Sequence, residues 1–125
     1  MASNIKIAVD LKSLDKLVRN LQRDLPEVAE DVVTMATMQI ERTAKEKCPV
    51  DTGRLRDSIH SDIEKDSDGT TGSVGTDVEY GPHVELGTSK MQAQPFMKPA
   101  MDENKEDIIS YANYKLKETI KKGGS

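Results

Sequence analysis

Near the start of the chain Ile5, Ile7 and Val9 alternate with Lys6, Ala8 and Asp10, and a period of two predicts a short strand. At Ser13 the period changes: Leu14, Leu17, Val18 and Leu21 follow the i, i+3, i+4, i+7 spacing of a helix with one apolar stripe. Ser13 is placed to cap that helix, its hydroxyl meeting an orphan backbone N–H. Leu25 precedes Pro26 and is pushed out of helical backbone, so the helix stops there. A second helix starts at once. Pro26 suits its first turn, and Asp24 with Glu27 has the spacing of a capping box. Val28, Val32, Met35, Ala36 and Ile40 form its stripe, widened by Ala29, Val33 and Ala44, and Pro49 ends it. A face this broad predicts either cover on two sides, by the protein's own sheet and by a second subunit, or a central core helix.

The middle of the chain reads as strand and turn. Ile59, Ser61 and Ile63 alternate with His60, Asp62 and Glu64, giving one mixed face and one wet, mostly acidic face. Asp68-Gly69 is a hairpin signal, with residues 70–76 as the returning strand. Val78, Tyr80, Val84 and Leu86, punctuated by Gly75, Gly81 and Gly87, predict a short strand and then a single helical turn. Residues 87–96 have no period and predict a flexible loop. A last helix is predicted from Pro99 to Lys122, with Met101, Ile108, Ile109, Ala112, Leu116 and Ile120 as its stripe. Acidic residues lead it and lysines follow, as its dipole favours. The expected fold is α+β: two or three helices packed on a small antiparallel sheet, the C-terminal helix long.

With 125 residues there is room for one domain, spanning 1–122. Gly123-Gly124-Ser125 reads as a disordered end or a cloning remnant. One cysteine, Cys48, excludes an intrachain disulfide and fits assembly in a reducing compartment. No apolar run approaches the ~20 residues of a membrane span, so no membrane partner is expected. The net charge of −4 speaks against nucleic-acid affinity, which needs concentrated Lys and Arg. Charge is unevenly spread. Residues 51–85 hold nine acidic and three basic residues, a net −6, which leaves +2 for the rest of the chain. Such a stretch is ordinarily a solvated face; its sharper reading is a surface kept acidic so that a polyanion slides past it.

Candidate chemistry is sparse. Cys48 sits at a helix C-terminus, where the dipole raises a thiol pKa, so it reads as a packed residue. His83 and Glu85 form a His-x-Glu pair and His60 stands alone, short of the three or four ligands a metal site takes. Gly87-Thr88-Ser89-Lys90 has phosphate-loop residue types in the wrong order. No catalytic residue, metal or cofactor is expected.

Four segments in order resemble a known family. Cys48-Pro49-Val50-Asp51-Thr52-Gly53-Arg54-Leu55-Arg56-Asp57-Ser58-Ile59 is similar to its Pro-Val-Asp-Thr-Gly-x-Leu-x-x-Ser-Ile signature. Val74-Gly75, Tyr80 with Val84-Glu85-Leu86-Gly87-Thr88, and Gln94-Pro95-Phe96-Met97-Lys98-Pro99-Ala100 follow. Leu86 stands where a Phe is common, and Pro82-His83 where small or aromatic residues are usual. The family is that of the small tail-component proteins of long-tailed bacteriophages, also described as tail-completion or head–tail joining proteins. The resemblance implies a structural virion protein that assembles in the bacterial cytoplasm into a homo-oligomeric ring, expected to be a hexamer, at the neck. There it would join the tail tube to the head and let DNA pass as cargo. Its partners would be head-closure or adaptor proteins on one side and tail-tube or tail-terminator proteins on the other. The alternatives are a tail terminator or minor tail protein, and, from another class, a small hydrolase using His83 and Glu85. Asp51, Thr52 and Gly53 would turn the long helix directly into the following strand, while Pro95 and Pro99 frame Phe96 and Met97 at the start of the last helix. The remaining motif residues, Pro49, Leu55, Gly75, Tyr80, Glu85, Gly87 and Thr88, would hold the fold or an interface. The broad face of the second helix and the loop at 87–96 are expected to make the ring contacts, and the acidic hairpin of Asp62, Glu64, Asp66 and Asp68 to face the DNA channel.

Overall fold

The computed structural model describes residues 5–9, 16–49 and 53–123, and it is an α+β arrangement. In chain order the elements are β1 (Ile5–Val9), α1 (Lys16–Asp24), α2 (Pro26–Lys47), α3 (Arg54–Ser58), β2 (His60–Asp66), β3 (Gly69–Thr76), α4 (Gly81–Leu86) and α5 (Met97–Gly123). The cap expected at Ser13 and the Asp51-Thr52 turn lie outside the described residues, as do Gly124 and Ser125.

Prolines set the limits of α2. Leu25, in non-helical backbone (φ −138°, ψ 68°), is its N-cap, and Pro26 fills the first turn, where no N–H is needed. The expected capping box does not form: Leu25 is the N-cap, which leaves Asp24 one position too early, and its carboxylate pairs with Arg23 at 2.8 and 3.0 Å. At the far end Cys48 donates its N–H to Ala44 O at 2.9 Å, and Pro49 follows. The chain then passes through α3, a single turn absent from the sequence expectation, instead of running straight into a strand. Gly53 makes that possible by adopting φ +83°, which costs a glycine little.

The three strands are antiparallel in the order β1-β3-β2, so β3 is central. The hairpin reverses at Ser67-Asp68, one residue ahead of the expected pair, with Asp66 opposite Gly69. The Asp66 carboxylate accepts the Asp68 N–H at 2.8 Å, and Gly69 opens β3 at φ +133°. The short strand expected around Val78 and Tyr80 does not form: β3 ends at Thr76, and Gly81 closes a turn by donating to Val78 O at 3.0 Å.

α2 lies between the sheet and α5. Glu30, Thr37 and Glu41 look toward the sheet, where Lys65, Gly72 and Ser61 meet them. Thr43 and Lys47 look the opposite way, where Asn104 donates to Thr43 Oγ1 at 2.9 Å and Glu103 pairs with Lys47. The apolar face of α2 (Val28, Ala29, Val32, Val33, Ala36, Ile40, Ala44) is buried on both sides within one chain. Of the two readings of the broad face, the central core helix holds and the second subunit does not: the second cover is α5, delivered from some 60 residues further along. The sheet comes so close at Thr37 that a side chain on Gly72 would overlap the Thr37 hydroxyl. That hydroxyl donates back to Val33 O at 2.7 Å, the ordinary outlet for a buried Thr in a helix. Two residues assigned to apolar stripes are not covered: Ile63 is 36% exposed on the edge strand, and Ile120 is 62% exposed near the end of α5.

Candidate functional site

The family-like segments fold into two hydrogen-bonded knots. The first ties α3 to the end of β3. Leu55 and Ile59 are buried, and Ser58 Oγ donates to Leu55 O at 2.6 Å while sharing a hydrogen bond with Thr76 Oγ1. The same Thr76 oxygen accepts the Val78 N–H at 3.1 Å. Arg54 reaches over the surface to Glu79, both guanidinium nitrogens lying 3.2 Å from carboxylate oxygens. It also lies over the Tyr80 ring, 5.5 Å from the centroid. Hydrogen bonding to Arg54 holds the Glu79 carboxyl below its ordinary pKa. Cys48, the C-cap of α2, is buried and Pro49 half-buried, and loss of solvent pushes the thiol up. Gly75 is buried in the central strand beside Val74.

The second knot ties α4 to the start of α5. The first four N–H groups of a helix have no partner inside it. Here a single side chain meets them. Glu85 Oε1 accepts the N–H of Phe96 at 3.0 Å and of Met97 at 2.9 Å, and Oε2 accepts that of Lys98 at 3.2 Å. The next residue, Pro99, has no N–H to satisfy. The long helix therefore begins at Met97, two residues ahead of the expected start, and runs on through Gly123. Glu85 is 8% exposed, and Phe96 and Met97 are fully buried beside it.

Between these anchors the loop is fastened at its base and its tip. Gln94 donates its N–H to Val84 O at 2.8 Å, and Thr88 donates to Met91 O at 2.8 Å. Gly87 takes φ +76°, and a side chain there would strike the backbone of Ala93 and Met91. Pro95 and Thr88 are exposed and Pro99 is half-buried. Among the polar side chains this framework presents outward, Thr88, Ser89, Lys90, Gln92 and Gln94, stand two large apolar ones: Leu86, 77% exposed, and Met91, 37% exposed.

The His83–Glu85 pair does not come together as a reactive site. Glu85 turns inward to its three backbone donors while His83 is exposed. Among the described residues no group of three or more His, Cys, Asp and Glu could hold a metal ion, and no helix is long and apolar enough to cross a membrane. Sequence reasoning missed the capping role of Glu85 and the Arg54–Glu79 fork. Glu85 lies eleven to thirteen residues from its donors across an aperiodic loop, and no local pattern signals such a bond.

Asp62, Glu64, Asp66 and Asp68 are all exposed. Alternation along β2 puts Asp62, Glu64 and Asp66 on the sheet face away from α2, because Ser61 and Lys65 point toward it. Lys65 donates to Glu30 at 3.0 Å. Burial works to raise the Glu41 pKa, but hydrogen bonds from Ser61 and Lys45 outweigh it and hold the carboxyl below its usual range. Sequence complementarity within the chain thus uses the inner face of β2 and leaves the acidic face outward.

The family described as "Bacteriophage HK97-gp10, putative tail-component" matches residues 12–87. No curated protein and no solved structure matches the chain. The matched span carries α1 through α4, the acidic hairpin and the whole of the first knot. The chain belongs to the HK97-gp10-like family of bacteriophage tail components.

Proposed function

We propose that this tail component is a non-enzymatic structural protein of the neck: a closed homo-oligomeric ring, hexameric in the simplest case, that joins the tail tube to the head and leaves a central channel for DNA. It assembles in the host cytoplasm and ends in the virion. Head-closure or adaptor proteins meet it on one side and tail-tube or tail-terminator proteins on the other. The observation that carries this reading is the family match together with what the matched residues do. Within the matched span the Glu85 side chain pins the start of α5 and Ser58 and Thr76 tie α3 to β3, while backbone bonds fasten the loop that follows, which holds Leu86 and Met91 outward. That is the construction of an adhesive part. With the α2 face consumed inside the chain, Leu86 and Met91 are the surfaces offered to a neighbouring ring.

The test is imaging of phage particles made without this protein. Full heads lying apart from finished tails support the joining role. Tails of abnormal length place the chain in the terminator slot instead, and complete, infectious particles overturn the reading. A His83→Ala variant should leave infectivity intact, since the imidazole is exposed.

A further inference from the structure

We propose that the outer face of the sheet of one copy docks against the outward face of α5 of a second copy, and that this front-to-back contact, repeated, builds the ring. The proposal rests on the ring reading above and names the surfaces that make it. Among the described residues nothing covers either surface. On the sheet, Asp62, Glu64 and Asp66 point away from α2, beside exposed Thr71 and half-buried Ser73 of β3. On α5, Met97, Ala100, Asn104, Ile108 and Ala112 are buried, so the opposite side looks outward. Near the C-terminus that side presents Asn113, Lys117 and Ile120 at i, i+4, i+7 spacing, with Lys121 flanking them.

Charge and position match. Residues 60–69 hold four acidic residues and Lys65, a net −3; residues 110–122 hold four lysines and Glu118, a net +3. The two surfaces are also tied to the same turn of α2. Lys65 ties the hairpin to Glu30 at 3.0 Å, and Lys115 ties the basic end of α5 to the adjacent Asp31 at 3.3 Å. A second copy set front to back against the first, and rotated by the step of the ring, therefore brings its lysines to the first copy's carboxylates. Small side chains on β3 let a helix lie flat there, and Ile120 gains the cover its own chain does not give it. Such a contact is heterologous, each copy contributing one face of each kind, and it closes by rotation. It places the acidic face at the boundary between subunits, in place of the channel position expected from charge alone. Because the charges are exposed, the contact weakens as salt shortens the screening length.

The test is sedimentation velocity of the full chain at low and high ionic strength. One variant carries Asp62→Lys, Glu64→Lys and Asp66→Lys; another carries Lys117→Glu and Lys121→Glu; a third combines all five. Thermal melts of each show that these exposed substitutions leave the fold intact. Each partial variant should associate at least about tenfold more weakly than the unmodified chain. The five-fold variant should recover association, and an equimolar mixture of the two partial variants should assemble where neither does alone. A triple-lysine variant that assembles normally overturns this contact while leaving the ring reading standing. So does a five-fold variant that fails to recover. A chain that stays monomeric at every concentration, alone and on particles, overturns the ring itself.

Discussion

Glu85 makes the sharpest stability prediction, because one carboxylate serves three backbone donors at the start of α5. Replacing it with alanine leaves the N–H groups of Phe96 and Met97 buried without a partner and that of Lys98 partly so. A hydrogen bond to a charged group contributes about 1.5–3 kcal/mol, and a stranded donor costs about 1–3 kcal/mol. The three share one acceptor and one end of a helix, so the terms do not add in full, and a lost helix cap alone costs about 1 kcal/mol. Glu85→Ala should therefore destabilise the protein by about 3–4 kcal/mol. Glu85→Gln is the discriminating control. Its remaining oxygen can still accept from Phe96 and Met97, while its amide NH2 faces the Lys98 N–H, so the loss should be about 1–2 kcal/mol. For a chain of this length about 4 °C of melting temperature corresponds to each kcal/mol. Urea unfolding followed by far-UV circular dichroism gives the free energies directly, with an unchanged slope showing that only stability moved. Equal losses for the two variants, or less than about 1 kcal/mol for the alanine, would refute the capping argument.

Gly72→Ala should cost about 1–3 kcal/mol, as overpacking does, because the new methyl group meets the Thr37 hydroxyl; in a Thr37→Ala background urea titration should show a smaller penalty, a positive coupling in a double-mutant cycle. Cys48 should react with a thiol reagent far more slowly in the folded protein than after unfolding, since burial both shields the sulfur and raises its pKa; equal rates would contradict that burial. The Glu79 carboxyl is held below its unfolded value by Arg54, so its contribution is present above the ordinary carboxylate range and is lost as pH falls through the depressed folded pKa. Arg54→Ala should accordingly flatten the stability profile on the acid side of about pH 4.3, and a profile unchanged by the substitution would remove the pair from the account.

The limits of α2, the hairpin and the α+β class could all be read from short-range pattern. Pro26 and Pro49 bound a helix by removing donors within one turn, Asp68-Gly69 marks a reversal within one residue of where it occurs, and alternation exposes the two faces of β2. These features depend on atoms a few residues apart, and a local pattern can encode them. What covers each face could not be read this way. The width of the α2 stripe correctly implies two covers, but the second turns out to be α5 of the same chain, because the loop before it is fastened so that the long helix returns antiparallel to α2. α3 escaped because five residues are too few to show a period, and its existence depends on the positive φ of Gly53. Glu85 looked like half of a reactive pair and is a helix cap, since its partners lie beyond a loop without periodicity. Local amphipathicity and proline placement determine where elements begin and end; which surfaces meet is decided by closure of the chain, where distant groups compete for the same buried volume and the same orphan hydrogen bonds.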